Sequence, residues 1–325
     1  VSRQDPPDPM GRPNQDVFSE TVLELARQDP EIVVVTSDSR GSGKLSAFAR
    51  ELPERIVEVG IAEQTLVGVA AGLASGGKKP FAVSPACFLT ARSLEQIKND
   101  VAYSRQAVRL VGISAGVSYG PLGSTHHSTH DLAVLRAIPG ITLIVPADNL
   151  EARAAAIAAR DRDGPVYVRL GKHPVPDLPG SPAFERGRAR LVRDGDALAF
   201  IATGETVWIA YEAARRLSAE GVECRVLSMH TVRPLDTDAV LAAAATGAIV
   251  TVEEHSVSGG LGEACARIVA EAGLAVALRA MGLPDEETVA GAQGEILGHY
   301  GISPDGLASV ARELLARARA GGVTT

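Results

Sequence analysis

The sequence predicts an α/β protein of two domains, each with a mainly parallel sheet flanked by helices. Short apolar, β-branched runs alternate with helical patterns, and the alternation stops and restarts around a proline-rich segment. The chain has 325 residues, a length that favours two domains over one. Hydrophobic residues make up 46% of the chain and aromatic residues only 4%, so aliphatic side chains must build the cores.

The first domain is expected over residues 14–170, after an extended or disordered segment at 1–13. Its strands are continuous apolar runs rather than alternating ones, which is typical of strands that are buried on both faces. The predicted strands are, in order, EIVVVTSD, RIVEVG, KPFAVSPA, VRLVGIS, ITLIVPA and PVYVRL. The predicted helices cover 14–28, 62–75, 89–104, 130–138 and 148–160, with Asp148 as the N-cap of the last.

A proline-rich segment, residues 171–187, has no periodicity and is interpreted as a linker. The pattern then restarts, so a second and smaller α/β domain is expected over 188–325. Its predicted strands are ALAFIATG, VECRVLSM and AIVTVEE, and its predicted helices cover 206–220, 260–272 and about 305–319. Asp236 precedes a further helical stretch as its N-cap.

Charge and cysteine content narrow the class of protein. The net charge is −7 with both signs well mixed, which argues against the basic surface of a nucleic-acid-binding protein. No apolar run approaches the length of a membrane span, and the polar amino-terminal segment does not resemble a secretion signal. Three widely spaced cysteines indicate neither a disulfide framework nor a redox pair, so we expect a cytoplasmic protein without membrane or nucleic-acid partners.

Glu63 stands at a strand-to-helix turn, in the stretch VEVGIAEQ. One interpretation is a carboxylate in the first helical turn, where it would stabilise the helix dipole by up to about 1 kcal/mol. The other is chemical, because ligands of parallel α/β sheets bind at the carboxyl edge of the strands. Glu58, still on the strand, is interpreted as a structural acid.

Six segments together resemble the transketolase family of thiamine-diphosphate-dependent enzymes. They are, in chain order, VGIAEQ, PACFLTARSLEQIKNDVAY, SYGPLGSTHHSTHDL, IPGITLIVPAD, GPVYVRLGKHP and VTVEEHSVSGGLGEACARIVAE. The resemblance covers about residues 14–320 and implies a pyrimidine-binding fold followed by a transketolase C-terminal-domain-like fold. Each motif alone is moderately specific, and it is their common order that identifies the family.

The resemblance implies three contacts with the cofactor. Glu63 would hydrogen-bond a ring nitrogen of the aminopyrimidine and favour its imino tautomer, which then removes a proton from the thiazolium ring. Phe88 would stack on the aminopyrimidine, although an ordinary core Phe is the alternative. Asp38, at the end of the first strand, matches an acid on the cofactor's side of the site.

The histidine loop GSTHHSTHD allows three interpretations. A metal site is disfavoured, because the residues before the histidines indicate a loop and not a helix that carries two ligands on one face. The second interpretation, a structural role in which a histidine caps or supports the following helix, stays open, above all for His130. The third is catalytic: the resemblance implies that His126 contacts the substrate's oxygens and assists proton transfer, a role that suits a group titrating near neutral pH. His127 is assigned to the substrate as well, with the structural alternative open.

Two further residues are assigned to the substrate by the resemblance. Arg169, in YVRLGK, ends a strand, and a guanidinium fork there suits a phosphate; a surface ion pair is its alternative. Ser42 falls where the family has another phosphate contact. Leu122 and Ser114 stand where the family uses polar residues for its substrate, which predicts a substrate that is less phosphorylated or held differently.

The sequence shows no Gly-Asp-Gly segment followed by Asn, the family's motif for the diphosphate and Mg²⁺. The resemblance therefore implies the C-terminal subunit of a split transketolase, with no metal ligands of its own and a companion subunit that holds most of the thiamine diphosphate and Mg²⁺, in an α2β2 assembly. Such an enzyme moves a two-carbon ketol unit from a ketose or ketose phosphate to an aldehyde-type or carrier-bound acceptor. A β subunit of a 2-oxoacid dehydrogenase or decarboxylase, and an inactive structural or regulatory partner, are the alternatives.

Overall fold

Two mainly parallel sheets and a two-stranded ribbon organise the chain. The structure, a computed structural model, describes residues 10–179 and 184–320. The helices are α1 (Asn14–Gln28), α2 (Ser46–Glu51), α3 (Glu63–Ser75), α4 (Ala86–Arg92), α5 (Leu94–Gln96), α6 (Asp131–Arg136), α7 (Asn149–Arg160), α8 (Thr206–Ser218), α9 (Thr237–Ala244), α10 (Leu261–Glu271), α11 (Gln293–His299) and α12 (Pro304–Ala320). The strands are β1 (Met10–Pro13), β2 (Ile32–Thr36), β3 (Ile56–Glu58), β4 (Lys79–Pro85), β5 (Arg109–Ile113), β6 (Thr142–Ile144), β7 (Val166–Arg169), β8 (Pro174–Pro176), β9 (Arg190–Arg193), β10 (Leu198–Ala202), β11 (Cys224–Ser228), β12 (Thr231–Arg233), β13 (Ala248–Ser256) and β14 (Ala277–Leu283).

The first sheet has seven strands in the order β12-β6-β7-β5-β4-β2-β3. Its neighbours run parallel, except that β12 is antiparallel to β6. The predicted burial on both faces is confirmed for β2, β5 and β7, whose residues are all buried. It is wrong for β3, which is only partly buried because it lies at the edge of the sheet with β2 as its one neighbour.

The second sheet has five strands in the order β14-β13-β10-β11-β9. They are parallel except for β9, which is antiparallel to β11. The three strands predicted here lie in the middle of the sheet as β10, β11 and β13. The two edge strands were not predicted, because β9 and β14 are partly exposed and lack a continuous apolar run.

The predicted helices are confirmed most closely where a cap marks the start. Asp148 and Asp236 accept the backbone N–H groups of Glu151 and Ala239, three residues on, and so cap α7 and α9. The single helix predicted over 89–104 is instead α4, α5 and a π-helical segment, Ile97–Tyr103. Ser93 stands at the first break and donates its hydroxyl to the Leu89 carbonyl, a bond that bends helices.

The two halves of the chain are connected more closely than a plain linker predicts. Strand β12 comes from the second half and completes the edge of the first sheet. Strand β8 lies within the predicted 171–187 linker and pairs antiparallel with β1, the described end of the 1–13 segment. The limits predicted for the two domains therefore stay a prediction, while the two-sheet architecture is confirmed.

Apolar clusters cover both faces of both sheets and contain mostly Ala, Val, Leu and Ile, as the composition predicted. Within the described ranges, no helix is both long and apolar enough to cross a membrane. The parallel pairing of β3, β2, β4 and β5 brings the loops that follow these strands to one edge of the first sheet. That edge carries the candidate site.

Candidate active site

Three residues predicted to be functional lie at this edge, although each follows a different strand. Glu63 begins α3 after β3, Phe88 lies in α4 after β4, and His126 lies in the long loop after β5. We call these three residues and Arg92, which connects them, the edge cluster. Sequence reasoning did not single out Arg92, because one basic residue at the end of a helix is an ordinary feature.

Glu63 is buried at the first position of α3, with its side chain only 4% exposed. Its Oε2 atom accepts a hydrogen bond from Nη1 of Arg92 at 3.0 Å. The guanidinium of Arg92 also lies over the ring of Phe88, with 4.2 Å between Cζ and the ring centroid. One flat cation thus connects the buried carboxyl group to the face of the aromatic ring.

His126 is held between two aromatic rings. The centroids of His126 and Phe88 are 5.2 Å apart with the rings at 71°, and those of His126 and Tyr119 are 5.6 Å apart at 75°. Its Nδ1 lies 2.9 Å from the hydroxyl of Thr125, the only hydrogen-bond partner of the His126 ring within the described residues. The other ring nitrogen, Nε2, is therefore available for a ligand.

Lys172 lies over the ring of Tyr119, which also contacts the ring of His126. Its Nζ lies 5.0 Å from the Tyr119 ring centroid, and its side chain is exposed. Within residues 10–179 and 184–320, no carboxylate forms an ion pair with it. Lys172 therefore has no carboxylate partner among the described residues and shares the Tyr119 ring with His126, three residues after the Arg169 that the sequence suggested.

His127 lies next to His126 but points into the protein. Its Nε2 donates to the carbonyl of Gly120 at 3.0 Å, and its Nδ1 therefore accepts from the hydroxyl of Thr288 at 2.9 Å. The residue is 3% exposed, so both ring nitrogens are used within the chain. The structural alternative thus describes His127 better than the predicted substrate contact. His130 occupies the N-cap position of α6 without a side-chain capping bond.

Arg169 is enclosed between the two halves of the chain. Its Nε donates to Oδ2 of Asp131 at 2.8 Å, and its Nη2 donates to the carbonyls of Ser128 at 3.0 Å and Glu254 at 2.8 Å. The side chains of Arg169 and Asp131 are 7% and 0% exposed. This environment does not support the predicted contact with a substrate phosphate, and the alternative of a surface ion pair is wrong because the pair is buried.

The Asp131–Arg169 pair is ionic despite its burial. Burial alone would raise the pKa of Asp131, but the charge of Arg169 and a hydrogen bond from Tyr167 hold that pKa below its usual value. Burial likewise opposes the charge of Arg169, yet Asp131 raises its pKa overall. Because Arg169 also holds the Ser128 carbonyl, it fastens the histidine loop to Glu254 on β13.

The loop after β2 carries Asp38 and Ser42, both exposed at the same edge of the sheet. Asp38 adopts a left-handed backbone conformation, φ 50°, and its N–H donates to Oε1 of Glu58 at 2.7 Å. The same oxygen accepts from the N–H of Gly60 at 3.1 Å, so Glu58 has the structural role expected of it. The hydroxyl of Ser42 donates to the Ser39 carbonyl at 3.2 Å. The roles of Asp38 and Ser42 towards cofactor and substrate stay predictions.

Within the described ranges, no group of three or more His, Cys, Asp or Glu side chains is arranged to hold a metal ion. The three cysteines are free and buried. Burial raises the pKa of Cys87, next to Phe88, to about 11, so this thiol is neutral at pH 7 and contributes no nucleophile.

Comparison with known proteins identifies the family of this chain. Residues 12–177 match the family described as "Transketolase, pyrimidine binding domain", and residues 187–307 match "Transketolase, C-terminal domain". A subunit of the apulose-4-phosphate transketolase of Phocaeicola vulgatus is 48% identical over 301 residues, which cover 92% of this chain and 96% of that protein. The 6-deoxy-6-sulfo-D-fructose transketolase subunit SqwH of a Clostridium species is 36% identical over 305 residues, with 93% and 94% covered.

A solved structure described as "Split gene transketolase, inactive beta4 tetramer" superimposes with a TM-score of 0.86. It is 36% identical in sequence, and the match covers 94% of this chain and 99% of that one. These similarities extend over both sheets and do not favour the alternative of a 2-oxoacid dehydrogenase subunit. The chain belongs to the transketolase family and is related along nearly its whole length to single subunits of split transketolases.

Proposed function

We propose that this chain is the catalytic C-terminal subunit of a split transketolase, which transfers a two-carbon ketol unit from a ketose phosphate to an aldehyde-type acceptor. The observation that carries the proposal is the edge cluster, in which Arg92 links Glu63 to the ring of Phe88 and that ring contacts His126, although the three follow different strands. An inactive partner would have no reason to keep a buried carboxyl, an aromatic face and an available imidazole nitrogen together.

The edge cluster fits the aminopyrimidine end of thiamine diphosphate. Bound thiamine diphosphate supplies the nucleophile and the electron sink for ketol transfer. Glu63 would hold a proton at a ring nitrogen of the pyrimidine from a position where water is largely excluded, since its side chain is 4% exposed. Phe88 would support the face of the same ring. The flat guanidinium of Arg92 already makes the same two kinds of contact, which indicates that the space suits a planar group with N–H donors.

Two residues of this chain would contact the sugar substrate. His126 would hold or move a proton at a substrate oxygen through Nε2, because Thr125 and the two flanking rings fix the orientation of its imidazole. Lys172 would bind the anionic end of the substrate, the role predicted for Arg169. The relatives are named for a 4-phosphate and for a 6-sulfo sugar, so both of their substrates carry such an anionic end.

We further propose that a companion subunit provides the diphosphate- and Mg²⁺-binding groups in an α2β2 assembly. The described residues offer no metal cluster, and the exposed loop with Asp38 and Ser42 borders the edge cluster, where a second chain would close the site. Asp38 would then contact the cofactor and Ser42 the substrate. His127 would orient the loop that carries His126.

The test is to reconstitute the chain with its companion, thiamine diphosphate and Mg²⁺, and to offer ketose phosphates, unphosphorylated ketoses and 2-oxoacids as donors. Mass spectrometry of the products should detect acceptors lengthened by two carbons, with ketose phosphates as the best donors. Turnover of 2-oxoacids alone would instead support the dehydrogenase alternative. A complex that forms but transfers nothing from any donor would support the inactive partner.

A further inference from the structure

Arg92 contacts the two groups that the proposed function assigns to the cofactor, Glu63 and Phe88. Its Nη1 lies 3.0 Å from Oε2 of Glu63, and its Cζ lies 4.2 Å from the Phe88 ring centroid. Glu63 is the only group that Arg92 hydrogen-bonds through its side chain in the part of the chain that the structure describes. Arg92 therefore spans the carboxyl group and the aromatic face and is committed to nothing else there.

The two contacts are those that the pyrimidine of the cofactor would need. A guanidinium is planar, carries its N–H donors along its edge and stacks on aromatic faces, so it resembles a protonated nitrogen heterocycle in shape and in bonding. Glu63 has a second carboxylate oxygen, so the competition is for the ring face: a group that stacks on the side of Phe88 covered by Arg92 would overlap the guanidinium. The cofactor can take its place only when the side chain of Arg92 has left.

We propose, on the basis of the function proposed above, that Arg92 is a built-in competitor of the cofactor. It fills the pyrimidine position in the subunit alone and turns out to solvent when the cofactor binds. The side chain is suited to this movement, since it is already 47% exposed and lies at the last residue of α4. Until then it keeps water from the buried carboxyl of Glu63.

The expected effect on affinity is moderate, because Arg92, the partner common to both contacts, is 47% exposed although Glu63 is buried. Surface ion pairs and exposed cation–π contacts are each weak, so their combined loss should reduce cofactor affinity by roughly 3- to 30-fold. Removal of the competitor should improve affinity by the same factor. Arg92→Gln removes the positive charge and the planar guanidinium group while keeping a polar side chain of moderate size.

Arg27→Gln is the matched control. Arg27 pairs with Glu51 through two guanidinium nitrogens, at side-chain exposures of 51% and 41%, on a part of the first half that makes no contact with the edge cluster. This variant loses the same charge and an arginine–glutamate pair in which the arginine is similarly exposed, although Glu51 is more exposed than Glu63. It thus reports any effect of net charge on the binding of an anionic cofactor.

The experiment is a calorimetric titration of the cofactor-free two-subunit complex with thiamine diphosphate in the presence of Mg²⁺. Arg92→Gln should bind roughly 3- to 30-fold more tightly than wild type, whereas Arg27→Gln should match wild type. Equal or weaker binding by Arg92→Gln, or the same gain in Arg27→Gln, would overturn the inference. If the wild-type complex bound no thiamine diphosphate at all, the proposed function would fail instead, so the two failures are distinguishable.

Discussion

Replacement of Arg169 by Gln should destabilise the whole protein, because Arg169 is one partner of a buried ion pair. The Arg169 and Asp131 side chains are 7% and 0% exposed and lie 2.8 Å apart. Removal of one partner from a buried ion pair typically costs about 3–5 kcal/mol, since the other charge stays buried without compensation. The carbonyls of Ser128 and Glu254 lose their donor as well. We therefore expect the free energy of unfolding to fall by at least about 3 kcal/mol at pH 7.

The stability loss of this variant should also change with pH in a direction that follows from the pKa of Asp131. In the wild type the pKa of Asp131 is lowered, so the pair stabilises the fold above the ordinary aspartate pKa and loses this effect as pH falls through the lower folded value. Without Arg169, burial would raise the pKa of Asp131, and stability would decline as pH rises above the ordinary aspartate pKa. The deficit of the variant should thus be smaller at pH 5 than at pH 7.

Urea unfolding at these two pH values, followed by the fluorescence of the single tryptophan, Trp208, measures both quantities. Arg312→Gln breaks an exposed pair with Glu220, at 48% and 47% side-chain exposure, and should cost less than about 1 kcal/mol. Should Arg169→Gln unfold like wild type while its KM for a ketose phosphate rises tenfold, the reasoning would be refuted and the phosphate contact predicted from sequence would return. Arg169→Lys keeps the charge and serves if the Gln variant does not fold.

Three further predictions concern single side chains. Glu63→Gln should lower kcat by roughly 100-fold or more while the two-subunit complex still forms on a sizing column; near-normal turnover would remove Glu63 from the mechanism. Lys172→Gln should raise KM for a ketose phosphate by about 10- to 100-fold. The control Lys98→Gln, at another exposed lysine, should leave this KM unchanged. Equal effects of the two substitutions would argue against an anion contact of Lys172. Burial beside Glu254 raises the pKa of Glu205 to about 8, so the free energy of unfolding should fall as pH rises from about 4.5 to 8. Glu205→Gln should therefore flatten the change in Tm between pH 5 and pH 8. An unaltered change in Tm would contradict this prediction.

The fold was predictable where burial is uniform and obscure where it is not. Strands β2, β5 and β10 have every residue buried, and each appears in the sequence as a continuous apolar run. Strands β9 and β14 alternate or stay partly exposed, so their pattern resembles that of a loop. Strand β12 has only three residues, and its place at the edge of the first sheet depends on a partner, β6, almost ninety positions earlier.

The candidate site could be predicted for those residues that lie in recognisable sequence motifs. Glu63, Phe88 and His126 follow β3, β4 and β5, which run parallel in one sheet with β2 between β3 and β4, and this shared direction brings the segments after them to one edge. His127 was harder to interpret, since adjacent histidines in a loop point in different directions. Only Gly120 and Thr288 determine that its imidazole faces inward, and Thr288 belongs to the other half of the chain.

Arg169 and Lys172 show where sequence reasoning reaches its limit. Both are basic, both lie near the end of β7, and either would suit an anion at the carboxyl edge of the sheet. What separates them is Asp131, 38 positions before Arg169, because its buried carboxylate claims the guanidinium at the last position of the strand. Lys172 lies beyond the strand end, without such a partner in the described residues and above the Tyr119 ring. The ion pair with Asp131 thus buries Arg169 and leaves Lys172 as the exposed cation to which the proposed function assigns the anion, a distinction that requires knowledge of the partner of Arg169.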